Sequence, residues 1–509
     1  MATPTSPSTF GGRQQVGFFL GPTLFAGLLL FPPFDIALSA NAVLASTLWM
    51  AVWWVSEAVP IPVTSLLPIV LFPATGVLDA PAATAPYADP VVFLLLGGFL
   101  LALGIERWDL HRRIALSVVS LVGVRADRLL LGFMLATAFL SMWISNSATA
   151  MLMVPIGAAV ILSVGSVNEH GSTLAEGDKA DGLVAGVHTG PGGRPASGFG
   201  LALMLGIAYS ASIGGTATLI GTPPNAVLAG VAESRLNVQI SFLDWLVFAG
   251  PLSVVFLLVT WLLLVTLLRP AIPLDQSADA VIRTQREQLG SVSRGERRML
   301  AVFTLVAAGW LLRPLVLQPE FPAITDTVVA IVGGVLLFVV PVDYDAREFL
   351  LDWSDTRRLP WGVLLLLGAG FSLANAFQES GLDTVIAEAL AGIAGVPVVV
   401  LIFVIATVIV FLTEVTSNTA TATVFMPIMI SLGMTLGESP LLLMTTAALA
   451  ASMAFMLPVA TPPNAVVFGS GHVTIPQMSR IGLWVNLLGI VAITATTYLW
   501  LPIAFASAG

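Results

Sequence analysis

The chain has 509 residues, of which 57% are hydrophobic and 10% are charged, whereas ordinary soluble domains are roughly a quarter charged. So few charges cannot cover the surface of a soluble protein of this length, and most of the apolar surface is therefore expected to face lipid. The net charge of −9 argues against a nucleic-acid partner, and the absence of cysteine excludes disulfides, thiolate metal sites and cysteine nucleophiles.

Apolar runs long enough to span a bilayer, roughly 17 to 25 residues each, recur along the chain and predict an all-α polytopic membrane protein. Residues 1–15 are polar and carry no convincing cleavage site, so they are predicted to be a cytoplasmic tail before a retained first helix. Clear examples of the apolar runs are Val16 to Phe34, Trp245 to Leu268, Leu441 to Ala460 and Leu483 to Phe505.

The basic residues predict the topology. They cluster in short segments at 107–128, 269–298 and 347–358, which the positive-inside rule assigns to the cytoplasm. With the N-terminus inside, about eleven crossings and two re-entrant hairpins, eighteen of the twenty basic residues lie inside and only Arg235 and Arg313 lie outside. This topology predicts a plasma-membrane protein whose C-terminus is external.

Two segments of the chain repeat each other in the same order. Phe139 to Ile156 matches Phe411 to Ile428 at nine of eighteen positions with an offset of 272, and Thr222 to Val227 recurs unchanged as Thr461 to Val466 with an offset of 239. The difference is accounted for by a polar, glycine-rich cytoplasmic insertion at about 166–198. The predicted organisation is a first repeat at 16–268, a linker at 269–299 and a second repeat at 300–509.

The two repeats are predicted to lie in the membrane with opposite orientation. Residues 105–116 read IERWDLHRRIAL and are basic, whereas the equivalent residues 378–390 read QESGLDTVIAEAL and carry no basic residue. Equivalent segments therefore face opposite sides of the membrane. Inverted-topology repeats with interrupted helices are typical of secondary transporters, whose sites lie near the midplane where the repeats meet.

Each repeat contains a Ser-Asn motif and a Thr-Pro-Pro-Asn motif. The Ser-Asn motifs lie in predicted re-entrant hairpins at about 129–165 and 398–436, where non-helical backbone must line protein or a polar cavity. Tandem prolines break a helix, so they leave free carbonyls that suit Na⁺ and a half-helix N-terminus that suits an anion. Taken singly, Ser and Thr in such helices more often bond to their own backbone, but the fourfold arrangement favours a binding site. Glu414 lies within the second hairpin, where functional and structural roles are both open.

With these motifs the sequence resembles the divalent anion/Na⁺ symporter family, a resemblance that also includes Ser56 to Pro62 and covers nearly the whole chain. It implies a homodimer with an elevator-type movement. One implied Na⁺ site comprises Ser141, Ser145, Asn146 and Gly221, and the other comprises Thr413, Thr416, Asn418 and Ala460. The implied substrate-binding residues are Ser145, Asn146, Ser147, Thr222, Ser417, Asn418, Thr419, Thr461 and Pro462. Ser147 departs from the family pattern, which usually has threonine at this position.

The leading hypothesis is Na⁺-coupled symport of a C4-dicarboxylate such as succinate, malate or fumarate, with at least two Na⁺ ions and no organic cofactor. A sulfate symporter and a dicarboxylate exchanger without Na⁺ coupling remain alternatives, because both would use the same neutral donors. An anion channel is a more remote alternative, since no ring of charge is evident. An enzyme is not expected, because no nucleophile and base or metal cluster lies at membrane depth. The expected partners are a small dianion, membrane lipid and a second copy of the chain.

Overall fold

The fold is almost entirely helical. The computed structural model describes residues 11–32, 36–123, 125–171, 198–269, 276–390 and 395–505. Nine helices in these residues are long and apolar enough to cross a bilayer, and four apolar stretches are shorter. Large apolar side chains are exposed along several of them, for example Leu262 and Val491, as expected for surfaces that face lipid. The number of crossings stays a prediction.

In the first half of the chain, the described residues form twelve helices. These are α1 (Gly12–Leu30), α2 (Leu38–Ser56), α3 (Ile61–Thr64), α4 (Leu67–Ala74), α5 (Ala80–Thr84), α6 (Pro90–Arg107), α7 (Leu110–Val122), α8 (Ala126–Ser141), α9 (Asn146–Gly171), α10 (Gly198–Gly215), α11 (Pro223–Leu236) and α12 (Phe242–Leu268).

The part of the second half that the structure describes forms twelve more helices and one short antiparallel strand pair. These are α13 (Gln276–Gln288), α14 (Arg294–Leu312), α15 (Gln318–Glu320), α16 (Asp326–Val339), β1 (Pro341–Asp343), β2 (Glu348–Phe349), α17 (Trp361–Ser380), α18 (Leu382–Leu390), α19 (Val398–Thr413), α20 (Asn418–Leu436), α21 (Pro440–Ala451), α22 (Pro462–Gly469), α23 (Ile475–Leu499) and α24 (Leu501–Ala504). Short 3₁₀ turns at 85–88 and 353–358 and a π turn at 313–317 connect some of them.

Several boundaries differ from those expected from the sequence. Helix α1 begins at Gly12, inside the predicted tail, because the Gln14 side chain accepts a hydrogen bond from Gly11 N at 3.1 Å and caps the first turn. Helix α14 begins at Arg294, inside the predicted linker, because Ser293 and Glu296 form a capping box. Helix α9 extends to Gly171, and the rest of the predicted insertion, 172–197, lies outside the described residues.

The expected hairpins are helix–turn–helix units with short turns. Helices α8 and α9 form the first hairpin, and α19 and α20 form the second. Helix α10 packs against both arms of the first hairpin, and α21 packs against both arms of the second. The contact between α8 and α10 requires Gly214, because a Cβ there would clash with the Ala138 carbonyl. Each hairpin is therefore packed against the helix that ends shortly before the next Thr-Pro-Pro-Asn motif.

Helices from the two halves of the chain also pack against each other. Helix α9 of the first hairpin packs against α22, while α20 of the second hairpin packs against α11. These are the two helices that begin at the tandem prolines. The four motifs singled out in the sequence thus belong to elements in direct contact.

A buried ion pair and an aromatic stack hold the first hairpin against the neighbouring helices. Trp143, in the turn of the first hairpin, stacks on Phe242 with ring centroids 5.8 Å apart, and Phe242 stacks on Trp310 at 4.8 Å. Asp326 accepts from Phe242 N at 2.7 Å and from Arg313 Nε at 2.5 Å. The start of α12, the end of α14 and the start of α16 therefore meet around one carboxylate.

Candidate functional site

Four polar groups meet at the turn of the first hairpin. One polar atom of the Asn146 amide lies 2.7 Å from Ser141 Oγ and 3.2 Å from the carbonyl oxygens of both Ala211 and Gly221. Ser141 Oγ also lies 2.6 Å from Ala211 O. If the amide nitrogen occupies this position, its two hydrogens are shared among the three oxygens. If Oδ1 occupies it, four oxygens share the single hydrogen of the Ser141 hydroxyl. We call these atoms the first oxygen cluster.

The second hairpin carries a matching arrangement. Thr413 Oγ1 lies 2.8 Å from Asn418 Oδ1 and 3.0 Å from the carbonyl oxygen of Ala451. The Thr413 hydroxyl has one hydrogen and cannot donate fully to both acceptors. Thr413 and Asn418 are related to Ser141 and Asn146 by the offset of 272 found in the sequence. We call these three groups the second oxygen cluster.

The asparagine of each Thr-Pro-Pro-Asn motif holds the unwound backbone that precedes it. Asn225 Nδ2 donates to Thr218 O at 2.7 Å and to Thr216 O at 3.1 Å. Asn464 Nδ2 donates to Leu457 O at 3.0 Å and to Ala454 O at 3.2 Å. Both asparagines are fully buried. Their amides replace helical hydrogen bonds that the breaks remove, and they fix the carbonyls near Gly221 and Ala460.

Four helices begin at the predicted motifs, but their hydroxyls are used differently. Ser145 Oγ accepts from Ala148 N at 3.3 Å, and Thr461 Oγ1 accepts from Asn464 N at 3.4 Å. By contrast, the side chains of Ser417 and Thr222 make no capping hydrogen bond. These two hydroxyls belong to α20 and α11, which pack together. Among the described residues, these two hydroxyls are therefore not used to cap their helices and are open to a ligand.

The structure brings together only part of each residue set that the resemblance implied. Ser141, Asn146 and Gly221 meet in the first oxygen cluster, whereas Ser145 caps its own helix. Thr413 and Asn418 meet in the second. Thr416 bonds instead to Thr421 Oγ1 at 2.7 Å and donates to Leu412 O at 2.9 Å. Ser147 and Thr419 follow the asparagines in the first turns of α9 and α20, and Pro462 is the first residue of α22.

Two groups at the site were not assigned from the sequence. The carboxylate of Glu414 is buried in the turn of the second hairpin and accepts three backbone N–H groups. Arg13 of α1 donates to the carbonyl of Val415 in the same turn at 3.2 Å, and also to the carbonyl of Val55. The sequence placed Glu414 in the hairpin but identified no partner for it. No sequence pattern linked Arg13 to Val415, because the two residues are 402 positions apart.

The geometry favours hard monovalent cations over transition metals. The clusters consist of hydroxyl, amide and carbonyl oxygens, which suit hard cations. Within the described ranges, no group of three or more His, Asp or Glu side chains is placed to hold a metal ion.

Comparison with known proteins agrees with this chemistry. A model described as the sodium:sulfate symporter transmembrane region matches residues 18–506. The chain belongs to this family. It is 42% identical over 495 residues to the sodium-dependent dicarboxylate transporter SdcS of Staphylococcus saprophyticus, covering 96% of this chain and 92% of that protein. It is 40% identical over 499 residues to SdcS of Staphylococcus aureus strain USA300, covering 97% and 92%.

Membership of the sodium:sulfate symporter family confirms two predictions. The chain is a multi-pass membrane transporter, and the family and its relatives are transporters and not enzymes. The resemblance inferred from the paired motifs is also confirmed. The alignments cover nearly the full length of both relatives.

Proposed function

We propose that this chain is a Na⁺-coupled symporter of C4-dicarboxylates such as succinate, malate or fumarate. The observation that carries the proposal is the pair of oxygen clusters, in which hydroxyl, amide and backbone carbonyl groups lie within 2.6 to 3.2 Å of one another at the turn of each hairpin. Oxygens at such distances repel unless a hydrogen or a cation lies between them. The two relatives named as sodium-dependent dicarboxylate transporters support the choice of ion and substrate.

In this proposal the first oxygen cluster binds one Na⁺ and the second binds another. The Asn146 amide turns its oxygen to the cation when Na⁺ is bound and its nitrogen to Ser141, Ala211 and Gly221 when Na⁺ has left. Hydroxyl and carbonyl oxygens then replace the hydration shell of the ion. Each cation lies beside the N-terminus of a hairpin arm, α9 or α20, where the next residues of the motif meet the substrate.

The substrate carboxylates are proposed to lie between the four helix N-termini. Ser417 and Thr222 supply free hydroxyls, and Ser147 and Thr419 lie in the first turns of α9 and α20. Helix N-termini each contribute roughly half a positive charge, which is insufficient for a dianion. Two bound Na⁺ ions would balance the dianion and make substrate binding depend on Na⁺.

The remaining predictions on architecture belong to the same proposal. Inverted-topology repeats are supported by the matching hydrogen bonds of Ser141 with Asn146 and of Thr413 with Asn418. The homodimer and the elevator movement are supported by family membership, and the cytoplasmic N-terminus and external C-terminus by the distribution of arginines. Sulfate is the second candidate substrate, because the family description names it.

Uptake into proteoliposomes tests the proposal directly. Labelled succinate and labelled sulfate are offered with an inward Na⁺ gradient or with choline in place of Na⁺. We expect succinate uptake in Na⁺ and essentially none in choline. Uptake of succinate that is equal in both buffers would identify an exchanger, and uptake of sulfate alone would identify the sulfate carrier.

A further inference from the structure

The side chain of Glu414 organises the break between α21 and α22. Its Oε1 accepts from Phe455 N at 2.7 Å and from Met456 N at 2.9 Å, and its Oε2 accepts from Leu457 N at 3.0 Å. Asn486 Nδ2 on α23 donates to Oε1 at 2.8 Å. Three consecutive backbone N–H groups thus form a concave anion site around the carboxylate. This is why α21 ends at Ala451, although the apolar run continues to Ala460.

Three carbonyls of this break also accept hydrogen bonds from side chains. Asn464 Nδ2 donates to the carbonyls of Ala454 and Leu457, and Ser479 Oγ donates to Met456 O at 3.0 Å. A Cβ at Gly482 would clash with the Phe455 carbonyl, so α23 lies directly against the break. The carboxylate is therefore part of a fixed structure and not a mobile side chain.

In the first repeat, the corresponding break is held without a charged side chain. The residue equivalent to Glu414 is Met142, whose carbonyl accepts from Thr218 Oγ1 at 2.6 Å. Thr218 Oγ1 in turn accepts from Gly221 N at 3.0 Å. A hydroxyl is thus sufficient to hold such a break. The negative charge in the second repeat needs a different explanation.

The charge has no fixed cationic partner among the described residues. Glu414 takes its partners from the backbone and from Asn486, and it joins no ion pair in the described part of the chain. It directly follows Thr413, whose hydroxyl belongs to the second oxygen cluster. A buried carboxylate without a cation is costly, and N–H groups offset only part of that cost. A cation in the second oxygen cluster would offset more of it.

We propose that Glu414 is a positioning residue that raises the Na⁺ affinity of the second oxygen cluster through its charge and the segment it fixes, without coordinating the ion. This inference rests on the proposed function. It requires that loss of the charge weaken Na⁺ binding at the second oxygen cluster enough for this cluster to limit uptake.

The variant Glu414→Gln removes the charge and keeps the size of the side chain. We expect the Na⁺ concentration for half-maximal succinate uptake to rise by roughly tenfold or more, the size of effect a nearby buried charge has on an ion. The KM for succinate at saturating Na⁺ should stay within about threefold. Thr446→Val is the matched control, because Thr446 is equally buried on α21 and donates only to Leu442 O. Its Na⁺ curve should not move.

A second readout measures Na⁺ binding without transport. The natural chain has no cysteine, so Val459→Cys, at a position 77% exposed within the break, can be labelled alone with a maleimide. Na⁺ should slow labelling of the purified protein without substrate, and Glu414→Gln should raise the Na⁺ concentration required by the same factor. If unsubstituted protein takes up succinate equally without Na⁺, the symporter function fails, while the labelling curve still decides the role of Glu414.

Unchanged Na⁺ curves for Glu414→Gln in both assays would overturn the inference and leave the symporter proposal intact. If Glu414→Gln does not yield monodisperse protein, Glu414→Asp decides, because it keeps the charge but withdraws it from the backbone N–H groups. We then expect a Na⁺ requirement raised at least threefold. An aspartate variant with an unaltered Na⁺ curve would show that Glu414 is needed only for folding, and the inference would again be wrong.

Discussion

Adding a methyl group at Gly215 should weaken Na⁺ binding at the first oxygen cluster alone. Gly215 ends α10, and a Cβ there would lie 3.1 Å from Gly221 O and 3.2 Å from Asn146 Cγ, and closer still to Asn146 Oδ1. Non-bonded heavy atoms are most favourable at about 3.5–4.0 Å, so the amide or the carbonyl must move by several tenths of an ångström. Both groups belong to the first oxygen cluster. Overpacking of this kind costs about 1–3 kcal/mol.

If that cost falls on the cation-bound state, it corresponds to roughly a 5- to 150-fold loss of affinity. We therefore expect Gly215→Ala to raise the Na⁺ concentration for half-maximal succinate uptake by about tenfold or more. The residue equivalent to Gly215 in the second repeat is Ala454, so an alanine is compatible with this kind of break. The effect should accordingly come from the displaced Asn146 amide and not from a collapsed fold.

Gly157→Ala is the matched control, since it adds the same methyl group to the first hairpin. Its Cβ would lie 3.0 Å from Ile207 Cδ1 and 3.4 Å from Met204 Cε, and these flexible side-chain ends can move. Its Na⁺ dependence should stay within about twofold of the unsubstituted protein. Wild-type Na⁺ dependence for Gly215→Ala, at equal reconstitution, would refute the assignment of a cation to the first oxygen cluster.

Three further predictions follow from the same geometry. Asn146→Ala and Asn418→Ala should each abolish Na⁺-dependent uptake while the purified protein stays monodisperse by size-exclusion chromatography, and wild-type uptake by either would make that turn purely structural. A cysteine in place of Arg298 should resist an impermeant maleimide applied to intact cells, and labelling from outside would reverse the topology. Asp326→Ala should lower the free energy of unfolding by about 3–5 kcal/mol, because Arg313 loses its buried partner, and a thermal midpoint equal to that of the unsubstituted protein would contradict this.

The sequence predicted the side chains of the oxygen clusters and the carbonyl of Gly221, but not the carbonyls of Ala211 and Ala451. Asn146 and Asn418 were found because the same letters recur at a fixed offset. Ala211 and Ala451 contribute through their carbonyls. Every residue has a backbone carbonyl, so no sequence pattern indicates which carbonyls join an oxygen cluster. The contributions of these two alanines are therefore evident only from the structure.

The same limit explains the errors in the helix boundaries. Hydropathy predicted one apolar run from Leu441 to Ala460. In the second half of this run, Glu414 accepts from backbone N–H groups and Asn464 donates to backbone carbonyls, in place of helical hydrogen bonds. Helix α21 therefore ends at Ala451. The deciding partners, Glu414 and Asn464, lie on other elements, which a linear pattern does not connect to α21. The assignment of Thr416 to a cation site stays a prediction, and its hydroxyl lies 2.7 Å from Thr421 Oγ1.

Under the proposed function, the position of the two asparagines explains how ion and substrate binding are coupled. Each lies at the first residue of a hairpin arm, so its amide joins an oxygen cluster to the N-terminus of α9 or α20. A bound cation fixes the amide, and a fixed amide fixes the helix N-terminus that meets the substrate. Because binding free energies are reciprocal, the substrate must tighten Na⁺ binding by the same factor that Na⁺ tightens substrate binding. A site without Lys or Arg in its motifs can therefore hold a dianion only when its ions are present.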